Sequence, residues 1–170
     1  MGAVAMVFDF ASKLASEQAL GSFHVKRVLL SPSHWARYPN TIQLNWNFVK
    51  FEPTNLGLVP TKYGVYSFVV DPGISQHPAT HYLLYLGRAR GLTLRTRYGN
   101  YMKEKIADKG RQPIQAMLNK WPDHLWFYYA EVEDITAIDD LEDELLAAYL
   151  PPFNQVFPAE VRKIVKGVFT

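Results

Sequence analysis

Two stretches decide the fold: YGVYSFVV (63–70) and, after ten residues, HYLLYLGRARG (81–91). Both are rich in the aromatic and β-branched residues that suit a pleated, half-buried surface. The segment between them, DPGISQHPAT (71–80), is dense in turn formers, so the two read as the arms of a long hairpin. Each arm also sets a Tyr near a Gly: Gly64 before Tyr66, and Tyr85 before Gly87. Glycine inside a strand marks a bend or a close backbone approach.

Working outward, HLWFYYAEV (124–132) is a third strand, and its nearly continuous apolar run suits a central position. TIQLNWNFVKF (41–51) alternates with period two, placing Ile42, Leu44, Trp46 and Phe48 on one face. EPTNLGLVPTKYG (52–64) is a Pro/Gly-rich connection. Residues 93–107 read as a helix with Leu94, Tyr98, Tyr101, Met102 and Ile106 at helical spacing. A second helix covers 111–121, starting near Pro113. A third covers 137–150, with Ile138, Leu141, Leu145 and Tyr149 inward, and Pro151-Pro152 ends it. Residues 7–20 are a further helical stretch, and a short basic helix closes the chain. The order β-β-α-α-β-α gives an α+β fold: a small antiparallel three-stranded sheet flanked by helices, with an N-terminal α/β extension. The expected division is an extension over 1–59 packed on a main domain over 60–157, then a basic tail over 158–170.

With 170 residues, 48% hydrophobic and 14% aromatic, the chain suits one packed domain with an extension. No apolar run is long enough to span a membrane, so no membrane partner is expected. The N-terminus lacks the basic region of a signal peptide. The absence of cysteine removes disulfides and thiolate metal sites, and fits an intracellular, cytoplasmic location. Net charge is only +2, yet it is unevenly spread. Residues 88–120 hold nine Lys/Arg against Glu104 and Asp108, while 131–144 hold eight acids and no base. One reading is two solvated helix faces attracting each other; the other is a polyanion groove beside a metal-binding carboxylate.

The five histidines form no HExxH, and Pro78 between His77 and His81 argues against a helical zinc pair. No P-loop exists, GRARG (87–91) is not a dinucleotide fingerprint, and no serine sits in a nucleophile-elbow context. What remains is a set of tyrosines, arginines, one acidic helix and Asn154. Phosphodiester hydrolysis can use such groups. A water must lose a proton, a divalent ion held by one carboxylate can stabilise the leaving oxygen, and an arginine can neutralise developing charge. A tyrosine serves as base where cationic neighbours lower its pKa.

The pair GVY (64–66) and YLG (85–87) resembles the signature of the GIY-YIG nuclease family. LRTRYGNYM (94–102) resembles that family's arginine-bearing helix motif, and LEDELLAAYLPPFN (141–154) its Glu…Pro…Asn segment. The four motifs fall in family order over residues 60–157. The resemblance implies a DNA endonuclease that uses Mg²⁺ or Mn²⁺. It implies Tyr66 as general base toward water, Tyr85 as a positioner of water or phosphate, and Gly87 where a side chain would crowd the site. Arg97 matches the helix arginine and Tyr101 the Tyr/His four residues on. Glu142 matches the metal-ligand carboxylate, and Asn154 the asparagine tying the last helix to the core. Arg88 stands where many members carry Lys, and would contact phosphate.

The chain departs from the family in a longer hairpin loop and two extra residues near GLTL (91–94). A gap-free count from Tyr85 selects Arg95 as the catalytic arginine, but then Gly99 takes the +4 position. Helix periodicity selects Arg97 instead. Arg88, Arg90, Arg95, Lys103 and Lys105 are the expected DNA-binding cations. SPSHWARYPN (31–40) reads as a nucleic-acid loop or, preferably, an ordinary surface turn. The alternative function is a non-catalytic nucleic-acid-binding or protein-interaction module on the same fold.

Overall fold

The computed structural model describes residues 29–39, 41–74, 80–107 and 109–169. The helix expected over 7–20, and His24 and His77, lie outside the described residues. In chain order the elements are α1 (Pro32–Arg37), β1 (Asn47–Lys50), a 3₁₀ turn (Pro53–Leu58), β2 (Gly64–Val70) and β3 (Tyr82–Ala89). Then come α2 (Leu94–Ile106), α3 (Gln112–Lys120), β4 (Leu125–Glu131), a second 3₁₀ turn (Ile135–Ala137), α4 (Ile138–Tyr149) and α5 (Ala159–Phe169).

The sheet has four antiparallel strands in the order β1-β4-β2-β3, not the three expected. The added strand comes from the segment assigned to the extension: Phe48 pairs with Tyr128 and Val49 with Phe127. Of the alternating run 41–51 only Asn47–Lys50 enters the sheet. That pairing joins residues far apart in sequence, which is why local alternation did not reveal it. Strand β4 has a partner on each side, in keeping with its apolar run.

Strand alternation divides the core between the two faces of the sheet. On one face Tyr66, Phe68, Phe127 and Val49 pack against Leu94, Tyr98 and Tyr101 of α2 and Ile114, Met117 and Leu118 of α3. On the other, Val65, Leu86 and Ala130 meet Ile138, Leu141, Leu145 and Leu146 of α4, with Val161 and Val165 of α5. The basic C-terminal segment therefore contributes a helix that is half core. Two residues expected inward are not. Ile106 and Tyr149 are the last residues of their helices, and the buried rows run off the core there, leaving them 83% and 54% exposed.

Three joints position the site. Thr93 caps α2 by accepting from the Thr96 amide at 3.2 Å. The Leu94 and Arg95 amides donate to the carbonyls of Lys62 and Pro60, which fixes the start of α2 against the approach to β2. At the end of α4, Leu150 adopts the left-handed conformation, with φ 48°, and its amide donates to the Leu146 carbonyl. The chain then turns back along β3, where the Phe153 amide donates to the Leu84 carbonyl at 3.0 Å. Helix α1 docks on α4 through the Trp35 indole, which donates to the Ala148 carbonyl at 2.6 Å. Arg37 donates to Ser33 within α1. The segment 31–38 thus has a packing role.

Candidate active site

The register of the hairpin explains the two Tyr-Gly pairs. Tyr66 on β2 stands directly opposite Gly87 on β3. Its ring lies over that glycine: a β-carbon on Gly87 would meet the Tyr66 hydroxyl at 2.7 Å and Tyr85 Cε1 at 3.1 Å. Gly64 answers a different crowding, since a β-carbon there would stand 2.0 Å from the Ala130 carbonyl oxygen on β4. Both glycines are required by close approach.

Tyr66, Tyr85 and Tyr101 form a triangle of rings with centroids 5.8 to 6.4 Å apart. The hydroxyls of Tyr66 and Tyr101 share a hydrogen bond of 3.0 Å. Burial pushes the Tyr66 phenol well above its ordinary value, and its two tyrosine neighbours push the same way. Arg97 opposes them and does not prevail. Tyr85 is likewise raised by burial, then by Tyr101, with Arg111 opposing. The cationic lowering that a tyrosine base would need is therefore outweighed: Tyr66 is a neutral phenol at neutral pH.

These tyrosines line one wall of an open cleft of about 570 Å³. Arg88, Arg97, Arg111, Glu142, Asn154 and Arg162 line it too. Arg97 Nε is buried with no protein hydrogen-bond partner. A buried guanidinium N–H left unpaired is costly unless a ligand oxygen or a water meets it.

Arg95 goes elsewhere. Its Nε donates to the Val59 carbonyl at 2.6 Å and its Nη2 to Gly57 at 3.0 Å. It staples α2 to the first 3₁₀ turn, away from the cleft. Residues two apart on an α-helix point about 200° apart, so only one of these arginines can face the tyrosines.

Glu142 projects from α4 into the cleft, where its side chain is 12% exposed. Arg88 pairs with it and also with Asp139 at 2.9 Å, while Arg90 pairs with Asp139. Desolvation nevertheless raises the Glu142 carboxyl above the usual range, with Arg88 and Arg97 pulling it back. The basic and acidic blocks of the sequence thus meet at this point. Arg88 and Arg90, expected on phosphate, are held by carboxylates.

Asn154 lies at the outer edge of β3. Its side-chain amide donates to the Leu86 carbonyl at 2.7 Å and accepts from the Leu86 amide at 3.0 Å. It ties the return from α4 to the sheet edge. Neither remaining DNA-binding candidate lines the cleft: Lys103 is exposed on α2, and the Lys105 ammonium sits 6.0 Å from the Phe51 ring.

Two cleft cations stood outside the motifs. Arg111 was one of the basic residues of the expected polyanion groove, with no individual role, and Arg162 lay in the basic tail. Arg162 is fixed by donating twice to the Phe157 carbonyl at 3.2 Å.

Among the described residues no three His, Asp or Glu side chains converge as a metal cage. A hydrated Mg²⁺ needs only one or two carboxylates, the rest coming from water and substrate phosphate. Glu142, facing the cleft with Asp143 beside it on the lining, fits that scheme once Arg88 yields its place. No helix among the described residues is long and apolar enough to cross a membrane. Comparison with protein-family models, with curated proteins and with solved structures gives no match.

Proposed function

We propose that the chain is a divalent-metal-dependent endonuclease that hydrolyses DNA phosphodiester bonds in the manner of the GIY-YIG nucleases. One observation carries this reading: the unpartnered Arg97 Nε is buried in a cleft that also holds Tyr66, Tyr85, Tyr101 and Glu142. Arg97 would neutralise charge as the attacking oxygen bonds to phosphorus. Glu142 would hold Mg²⁺ or Mn²⁺, which when bound supplies positive charge at the leaving 3′ oxygen. The neutral Tyr66 phenol orients the attacking water. Its hydroxyl takes the water proton as its own passes along the hydrogen bond to Tyr101, whose hydroxyl proton is released in turn to solvent water in the open cleft. Tyr85 completes the wall against which water or phosphate is placed. Asn154 keeps the return from α4, the helix of Glu142, in register with β3, the strand of Tyr85.

A second reading has its own observation. The pairing of Glu142 with Arg88 is what a non-catalytic nucleic-acid-binding module would retain as a structural contact. Incubation of supercoiled plasmid with the protein separates the two. Cleavage in Mg²⁺ or Mn²⁺ that EDTA abolishes supports the endonuclease; binding without cleavage in either ion supports the module.

A further inference from the structure

Arg111 is the N-cap residue of α3, outside every motif that carried the resemblance. Its backbone and side chain are both clamped by Glu104 of α2. The Arg111 amide donates to Glu104 Oε1 at 3.2 Å, its Nε to the same oxygen at 3.0 Å, and its Nη2 to Oε2 at 2.7 Å. The turn beneath is braced by the Gln115 amide, which donates to the carbonyls of Ala107 and Glu104, and by Asn119, which donates to Lys105. The guanidinium lies 5.5 Å from the Tyr101 ring centroid, and its positive charge acts on the nearby Tyr85 phenol against the raising effect of burial. A guanidinium has five N–H groups in a planar fork, and the pair with Glu104 engages one edge. The residue also lines the cleft that holds Arg97.

We propose that Arg111 is a second anion-binding group of the cleft: with Arg97 it grips the non-bridging oxygens of one phosphodiester, while its contacts hold Tyr85 and Tyr101 in place. Glu104 is the positioning residue that aims it. This rests on the endonuclease reading for its substrate and extends it by naming a cation the motifs do not contain. A planar fork braced along one edge suits an anion arriving at the other, because little side-chain freedom remains to be lost on binding.

The test follows the arginine Nε–Hε resonances of the isotope-labelled protein, in EDTA, as the dinucleotide d(TpT) is added, with thymidine as the phosphate-free control. Arg97 and Arg111 should shift together with d(TpT) and stay still with thymidine. Arg111→Ala should weaken binding of a short labelled DNA duplex and lower its salt slope by about 0.9. Arg111→Lys, which keeps charge and loses the fork, should recover the slope but not the cleavage rate. Glu104→Gln should weaken binding in the wild-type background and add nothing to Arg111→Ala. Movement of Arg97 alone, or of neither arginine while plasmid is still cut, overturns the role of Arg111 and leaves the endonuclease standing. Joint movement in a protein that cuts no plasmid keeps the phosphodiester grip and removes the endonuclease.

Discussion

The Tyr66 hydroxyl occupies the space that a side chain on Gly87 would fill, 2.7 Å from where its β-carbon would be. Strand pairing forces this, because the two residues are direct cross-strand partners. Gly87→Ala should therefore displace the Tyr66 ring rather than the backbone. Overpacking of this kind costs about 1–3 kcal/mol. The expected outcome is a lower midpoint of denaturant unfolding together with loss of cleavage. A variant with wild-type stability and activity would mean that the ring does not rest there.

Tyr66→Phe keeps the ring stacked on Phe127 and removes only the buried hydroxyl. Stability should fall by about 1 kcal/mol, the usual net worth of one hydrogen bond. Cleavage should be abolished while duplex binding persists. Single-turnover cleavage at the wild-type rate would take Tyr66 out of the chemistry.

Arg95 and Arg97 should separate cleanly. Arg95→Ala releases the first 3₁₀ turn from α2, so it should lower thermal stability and leave the cleavage rate per folded molecule near wild type. Arg97→Ala should slow single-turnover cleavage by about 10²–10³-fold, a larger effect than its loss of DNA affinity. The reverse pattern would assign the transition-state role to Arg95.

Glu142 gives a pH-dependent signature. Its folded-state carboxyl titrates above the ordinary glutamate range, chiefly through desolvation. A raised acid favours folding in its protonated form. Its contribution is thus most favourable below the unfolded value and is lost as pH rises through the folded one. Glu142→Gln removes this dependence, so thermal stability of the variant relative to wild type should increase as pH climbs through that window. Cleavage should disappear at every pH, with duplex binding kept or strengthened as a repelling charge goes. Calorimetry across the window and a plasmid assay report the two effects separately.

Much of the site was legible because it lies on strands and helices with strong local patterns. The turn-rich segment between two aromatic runs marked β2 and β3 as a hairpin, and the 3.6-residue period put Tyr98 and Tyr101 inward and chose Arg97 over Arg95. What stayed hidden depends on contacts between distant segments. The period-two run 41–51 signalled a strand but not its partner, and its pairing with β4 places β1 in the main sheet rather than in a separate extension. The neutral state of Tyr66 follows from burial by three elements at once, which no count of neighbouring arginines reveals. The pairing of Arg88 with Glu142 needs the β3 and α4 backbones placed side by side. Arg111 needed the α2–α3 turn, whose shape is set by Glu104 and Gln115 rather than by any motif.

Asn154→Leu leaves the Leu86 amide and carbonyl without the partners that Asn154 supplies. Each buried polar group so stranded costs about 1–3 kcal/mol. Hydrogen exchange at the Leu86 amide should accelerate more than at amides of β4, and unchanged protection there would show that the staple is not formed in solution.

The same staple bears on self-association. Phe153 and Asn154 occupy the outer rim of β3, filling hydrogen-bonding positions at Leu84 and Leu86 that a strand from another molecule would otherwise use. Loss of the α4 return would turn β3 into an adhesive border, able to recruit extended segments of neighbouring chains. The turn that orients Asn154 for the cleft thus also guards the protein against edge-to-edge aggregation.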